Sequence, residues 1–437
     1  MAHPTSQEAQ KKLRIVVVGG GVAGLQIATQ LGTRFKNVGM VTLVDSDSAH
    51  VWKPMLHTIA AGTRDVSQQQ TTYVAQARAA GFIYQPGQMS GLDRESRKVT
   101  LAPMHFPDGR LLLAERKIPY DVLIMAVGSH ANDFNTPGVK DNCYMIDTRV
   151  QADAFNREVR ARILQAALKG GNLSIAIVGG GATGVELAAE LIQLADTAES
   201  YGTKGLASRI KITLIESGPR LLAAFPEKVS HVTKERLEEL GVSVRIATRV
   251  VAAKENGYEL DGGELIAADL MVWSAGVKAP DFLKGIAGLQ SSRSNQLIIG
   301  ETLQTSVDPN IFAVGDCASL TVMGATQPLP PTAQIAHQQA QFITKYLPAW
   351  LEHGKALPRF VPRDMGALVS LGSYGAFGSL GQFGLFKGGF IQGKLAQLSH
   401  IMLYRSHQAH IHGFWRGSLF WLVDKINDWL RPTIRLD

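Results

Sequence analysis

Two glycine-rich turns of one pattern, VVVGGGVAGL at residues 16–25 and AIVGGGATGVE at residues 176–186, stand 160 residues apart in this chain. Each follows a short, β-branched apolar run, Leu13 to Val18 and Leu173 to Val178, that reads as a buried parallel strand, and each opens into a helical pattern. The first glycine (Gly19, Gly179) permits a tight turn, and the second (Gly21, Gly181) lets a pyrophosphate approach the backbone. The third (Gly24, Gly184) lets helix and strand pack closely. The helix N-terminus beyond offers free N–H groups and partial positive charge to the phosphates.

Each turn has its acidic partner. Asp45 ends the strand VTLVD, 21 residues after Gly24, and Glu216 ends IKITLIE, 32 residues after Gly184. A polar insert around TAESYGTKG accounts for the longer second spacing. A carboxylate at either place accepts hydrogen bonds from an adenosine ribose. Strand, turn, helix, strand and acid, twice in order, predict an α/β protein with two Rossmann-like dinucleotide-binding domains. Two such units in 437 residues point to one flavin dinucleotide, FAD, and one nicotinamide dinucleotide.

With 45% hydrophobic and 19% charged residues, the chain can bury a large core. The first dozen residues, MAHPTSQEAQKK, are polar and carry no apolar run, so neither a secretory signal nor an N-terminal anchor is expected there. Two cysteines, Cys143 and Cys317, exclude a disulfide framework, a CxxC pair and an iron–sulfur cluster, and fit a reducing cytoplasmic compartment. Both read as small buried hydrophobes. Absence of a basic run or recognition module argues against nucleic acid as a partner.

Two further runs, YDVLIMAVGSH at 120–130 and MVWSAGVKAP at 271–280, share a strand ending in a glycine turn and read as crossovers between domains. They place Ala126 and Gly128 at the flavin and Gly276 at the nicotinamide dinucleotide. A third strand, IFAVGDCAS, runs into Gly315 and Asp316, the strand-Gly-Asp element that holds the flavin in proteins with two dinucleotide folds. FAD is therefore assigned to the first fold and the nicotinamide nucleotide to the second.

Three features choose among flavoproteins of this plan. Disulfide reductases need a cysteine pair after the first fold, and the matching region, HVWKPMLHTIAAG, has none. The segment LPPTAQIAHQQAQ at 329–341 sets Gln334 and Gln338 four residues apart on one helical face, after Pro330 and Pro331. In the tail, residues 391–437, six Lys or Arg stand against three Asp, and Trp415, Leu419, Leu422, Ile426 and Trp429 recur at steps of four and three. Gly413 separates that stripe from an earlier helix carrying Leu395, Leu398, Met402 and Arg405. No uninterrupted apolar stretch approaches the roughly 20 residues of a spanning helix. The pattern predicts C-terminal amphipathic helices that anchor at a membrane surface, with a dimer interface as the alternative or companion role. The formal charge of +7 favours an anionic membrane face.

The AQxAxQ pattern, Ala333 to Gln338, resembles the quinone-site motif of type II NADH:quinone oxidoreductases, and the tail segment LYRSHQAHIHGFW looks most like the proteobacterial branch of that family. The resemblance runs from Leu13 to the tail. It implies hydride transfer from NADH to FAD, then transfer of two electrons to a membrane quinone, ubiquinone or menaquinone, without proton pumping. It also implies a peripheral protein, a homodimer, on the cytoplasmic face of the inner membrane. Glu186 would contact the nicotinamide and supply protons, Lys53 would lie beside the flavin with Ala333 and Gln334, and Lys394 near the quinone path. The expected domains are 12–145 and 281–390 for FAD, 146–280 for NADH, and 391–437 for the anchor. Glu216 favours NADH over NADPH by repelling a 2′-phosphate, a preference that Arg220 is placed to soften. The alternative, a soluble NADH-dependent reductase of a small ferredoxin or rubredoxin, leaves the tail and the glutamine pair unexplained.

Overall fold

The computed structural model describes residues 13–36, 40–63, 70–200, 204–383 and 386–430. The polar N-terminal dozen and part of the TAESYGTKG insert lie outside the described residues.

The chain divides into two units, residues 1–50, 71–128 and 279–361 in one, 51–70, 129–278 and 362–437 in the other. The changes at 128/129 and 278/279 fall inside the two crossover runs. Elsewhere the division departs from the expected boundaries: 51–70, 129–145 and 362–390 group with the second unit. The reason is packing, since the helix Leu56–Ala61 lies against the helices Arg149–Lys169 and Ala182–Ser200, and Ser370 bonds to the latter.

The first unit is built on a parallel sheet in the order Ile311–Ala313, Val122–Met125, Ile15–Val18, Val41–Asp45, Ile83–Pro86. The second repeats it as Leu270–Trp273, Leu173–Val178, Ile210–Ile215, Ser243–Arg245, again parallel. In both, the strand before the glycine turn lies between the crossover strand and the acid-bearing strand. Val18 stands opposite Val44 and Met125, as Val178 stands opposite Ile215 and Trp273. Strands covered on both faces need apolar side chains in both directions, and Ile15–Val18 and Leu270–Trp273 are buried throughout.

The second unit also carries an antiparallel sheet, Gly366–Ser370, Ala376–Phe383 and Phe386–Gln392, followed by helices Lys394–His412 and Phe414–Leu430. Gly413, at φ +80°, makes the break between the helices, and Arg405 bonds Asp424 across it at 3.0 Å. Ala396, Tyr404, His407 and Ile411 form the buried face of the first tail helix, with the His407 ring tilted against Trp52 at 4.1 Å between centroids. Leu395, Leu398 and Met402 face outward, and on the second helix so do Trp415, Leu419, Leu422 and Ile426. The side chain of Trp429 lies outside the described residues. Among the described residues no helix is long and apolar enough to cross a membrane.

Candidate nucleotide and quinone sites

The two glycine turns have one geometry. Gly19 N–H bonds Val44 O at 2.8 Å and Gly179 N–H bonds Ile215 O at 2.9 Å, so each turn is tied to the strand that ends in its acid. Gly19 (φ +100°) and Gly179 (φ +116°) occupy backbone space that L side chains avoid. A Cβ on Gly24 or Gly184 would strike the carbonyl of Gly19 or Gly179. At Gly21 and Gly181 a Cβ would meet nothing within 4 Å. The protein does not require glycine there, and the open space in front of each helix suits a dinucleotide pyrophosphate.

The acids serve their turns alike. Asp45 Oδ2 accepts from Gly20 N–H at 2.5 Å and Oδ1 from Asp47 N–H at 2.7 Å. Glu216 Oε2 accepts from Gly180 N–H at 2.7 Å and Oε1 from Gly218 N–H at 2.6 Å. Burial holds the Asp45 carboxyl above its ordinary range, against the backbone bonds that favour its anion. The Arg220 guanidinium donates to the carbonyls of Leu222, Ala223 and Phe225. Those bonds engage three of its five N–H donors with the backbone.

Of the remaining predicted flavin residues, all but Lys53 fall in the first unit. Gly315, at φ +71°, opens the turn Gly315–Cys317, and its N–H donates to the buried Gln339 side chain at 2.6 Å. Gln296 donates to the carbonyl of Asp316. Through Gln339 the strand-Gly-Asp element is fastened to the helix Ala333–His353, which begins behind Thr332, whose hydroxyl caps Ile335 N–H. The two prolines thus precede the cap. Gln334 and Gln338 lie half-buried on its first two turns. His337, half-buried on the same helix, meets the buried Gln26 at 2.7 Å. Gly128 and Gly276, ending the two crossover strands, share φ +68°.

In the second unit Glu186 is buried, 6% exposed. Its Oε1 accepts from Ser370 N–H at 2.9 Å and its Oε2 stands 3.4 Å from Nδ1 of His57. Burial pushes the carboxyl up to about 8, with the Ser370 bond opposing and the neighbouring Glu190 adding to the rise. A surface residue complementing the helix dipole has none of these contacts. Lys53 donates to Ser129 O and faces Asp147 at 3.7 Å. Lys394 is exposed at the start of the first tail helix. Burial raises both thiols to about 11, so Cys143 and Cys317 stay protonated and unreactive.

Residues 13–340 match the pyridine nucleotide-disulphide oxidoreductase family. The type II NADH:quinone oxidoreductase of Haemophilus influenzae is 41% identical, over 97% of this chain and 99% of that protein. The chain belongs to the type II NADH:quinone oxidoreductases. A solved structure of NDH2 from Plasmodium falciparum in complex with NADH covers 97% of this chain and 100% of its own, with a TM-score of 0.82 at 19% identity. The ferredoxin reductase of the CYP199A2 system from Rhodopseudomonas palustris covers 84% of this chain and 82% of its own, with a TM-score of 0.65 at 20% identity. At those identities both neighbours speak for the fold alone. Family membership of the type II oxidoreductases rests on the full-length sequence relative.

Proposed function

We propose a division of labour among named residues for the family's reaction, in which NADH is oxidised and a quinone reduced through FAD. The single observation that carries it is the pair of open glycine cradles at Gly21 and Gly181, each beside an acid bonded to its turn. The first cradle, with Gly19, Gly24, Asp45, Ala126, Gly128, Gly315 and Asp316, would hold FAD. The second, with Gly179, Gly184, Glu216 and Gly276, would hold NADH, the Glu216 carboxylate accepting from the ribose 2′-OH. When bound, FAD supplies the two-electron chemistry that joins the two substrates.

The protein's residues bind, orient and move protons. Ala333 and Gln334 stand at the N-terminal end of their helix, where its partial positive charge favours electron-rich groups. Gln334 and Gln338 donate from their amides to the quinone carbonyls. Glu186 keeps a proton near neutral pH and stands at the nicotinamide. Lys53 holds the backbone at Ser129, next in the chain to Gly128 of the flavin cradle, and Lys394 adds positive charge on the quinone side. Replacing Gln334 and Gln338 by Ala should raise KM for a short-chain quinone about tenfold or more while leaving flavin reduction by NADH unchanged. Equal slowing of both half-reactions overturns the assignment.

The tail completes the reading. Trp415, Leu419, Leu422 and Ile426 expose an apolar face too extensive for an ordinary surface, on a segment rich in basic residues. It would lie in an anionic lipid surface on the cytoplasmic side of the inner membrane, with the protein a homodimer. Trp415→Glu with Leu419→Glu should abolish flotation with anionic vesicles and leave NADH oxidation by a water-soluble acceptor intact. Retained flotation contradicts the anchor, and a monomer in sedimentation contradicts the dimer.

A further inference from the structure

Counted from their first glycines, the two nucleotide helices align so that Gln26 corresponds to Glu186 and Gln30 to Glu190. Gln26 and Glu186 are both buried and both meet an imidazole Nδ1, Gln26 that of His337 at 2.7 Å and Glu186 that of His57 at 3.4 Å. The first pair is fixed. An amide oxygen only accepts, so His337 donates from Nδ1 and its Nε2 accepts from Gln341. The second pair has a carboxyl where the first has an amide, and a carboxyl facing an imidazole can carry one proton on either partner.

We propose that His57 is a positioning residue for Glu186, and that the two hold between them a single exchangeable proton that quinone reduction draws on. This deepens the role assigned to Glu186 above and rests on it. The balance requires one such proton: NADH, one proton and a quinone give NAD⁺ and a quinol, with the hydride carrying both electrons and the other proton. Glu186 releases its proton to the quinone side and regains one from solvent.

The surroundings leave the pair in charge of that proton. Ser370 N–H fixes Oε1 of Glu186, which leaves Oε2 toward His57. Glu190, one turn along the same helix, opposes ionisation of Glu186. Lys53, just before the helix of His57, is engaged by Ser129 and Asp147, and Tyr374 by Asp196. The helix Arg149–Lys169 packs on the His57 helix with Ala152, Phe155, Asn156, Val159, Ile163 and Ala166 buried, none ionisable. The strand Gly366–Ser370 has no ionisable side chain.

The test is a pH titration of the FAD-loaded, full-length protein, followed by the protonated-carboxyl band in infrared difference spectra, identified by its loss in Glu186→Gln. His57→Leu removes a neighbour able to share the proton as a cation. It should raise the midpoint of that band by about one pH unit or more, a tenfold change in proton affinity. The alkaline limb of the quinone half-reaction should move with it. His57→Gln, which copies the amide chemistry of the first repeat, should shift the band the same way if His57→Leu fails to fold. An unmoved band in the folded variant, with Glu186→Gln still slowing quinone reduction, overturns the place of His57 alone. A shifted band with quinone reduction untouched in Glu186→Gln overturns the role of Glu186, and this proposal with it.

Discussion

In the first repeat the carbonyl of Gly20 is gripped by two side chains, the Tyr73 hydroxyl and the His50 ring, each at 2.9 Å. In the second, the carbonyl of Gly180 is held by a backbone bond from Leu222 at 2.7 Å. Asp45 sits near Tyr73 and Tyr84, whose hydroxyls burial and the Asp45 charge push upward. Glu216 is bordered by Ser217 and Gly218. Behind the turns, the first helix buries an uncharged glutamine and the second buries Glu186 and Glu190. One backbone plan therefore carries two linings. The first, aromatic and fixed, suits a resident cofactor, whereas the second, bordered by small residues at its acid and titratable within, suits a substrate that comes and goes.

Filling the cradles breaks this comparison most severely. Gly21→Val should cut bound flavin by about tenfold or more, a loss of at least ~1.4 kcal/mol. Gly181→Val should weaken NADH binding by a similar factor and leave flavin content alone. Since a Cβ meets open space at both positions, both variants should melt near the wild type. Flavin loss in Gly181→Val, or none in Gly21→Val, would reverse the assignment of the two repeats.

Glu186→Gln makes the second lining resemble the first. Folded Glu186 holds its proton up to about 8, whereas an unfolded glutamate loses it near 4.3. The contribution of the protonated group is fully present below the unfolded value and is lost as pH rises toward the folded one. The variant should therefore gain stability over the wild type progressively between about pH 4 and pH 8, on the order of a few kcal/mol, then level off. Melting curves across that interval check it, and a constant difference contradicts the buried proton.

Smaller effects belong to the acids and thiols. Glu216→Ser should narrow the preference for NADH over NADPH by about tenfold in kcat/KM, since one repulsion and one hydrogen bond are removed. Arg220→Ala should leave the preference in place and cost stability instead, through the bonds lost at the carbonyls of Ala223 and Phe225, while Leu222 O keeps its bond from Phe225 N–H. Cys317→Ala, in the flavin unit, should leave turnover unchanged in steady-state assays, because its buried, protonated thiol meets backbone groups, the carbonyls of Met125 and Val314 among them.

Much of this was legible in local pattern. The strands, the glycine turns, the acids that end their strands and the glutamine pair at helical spacing are decided by neighbours within a few residues. Side-chain partners far apart in the chain were not. Gln26 and His337, or His57 and Glu186, meet only after the sheets and helices have packed. Lys53 likewise finds Ser129 and Asp147 through the packing of its segment with the second unit. The run HVWKPMLHTIAAG is informative for the cysteines it lacks, and that emphasis passes over His57. Aligning the two repeats residue by residue adds to the reading of Glu186 that it is a carboxyl where its counterpart, Gln26, is an amide. The tail's periodicity showed its apolar residues, but its burial shows which face of the first tail helix packs on Trp52 and which stays outside.

The most direct test of the central claim is anaerobic turnover of FAD-loaded protein in anionic vesicles containing a quinone, with NADH loss and quinol gain followed together. Two filled cradles serving one quinone predict rapid NADH oxidation with one quinol formed per NADH consumed. Reduction of the flavin by NADH with no quinol formed would contradict it, and would point to a different electron acceptor.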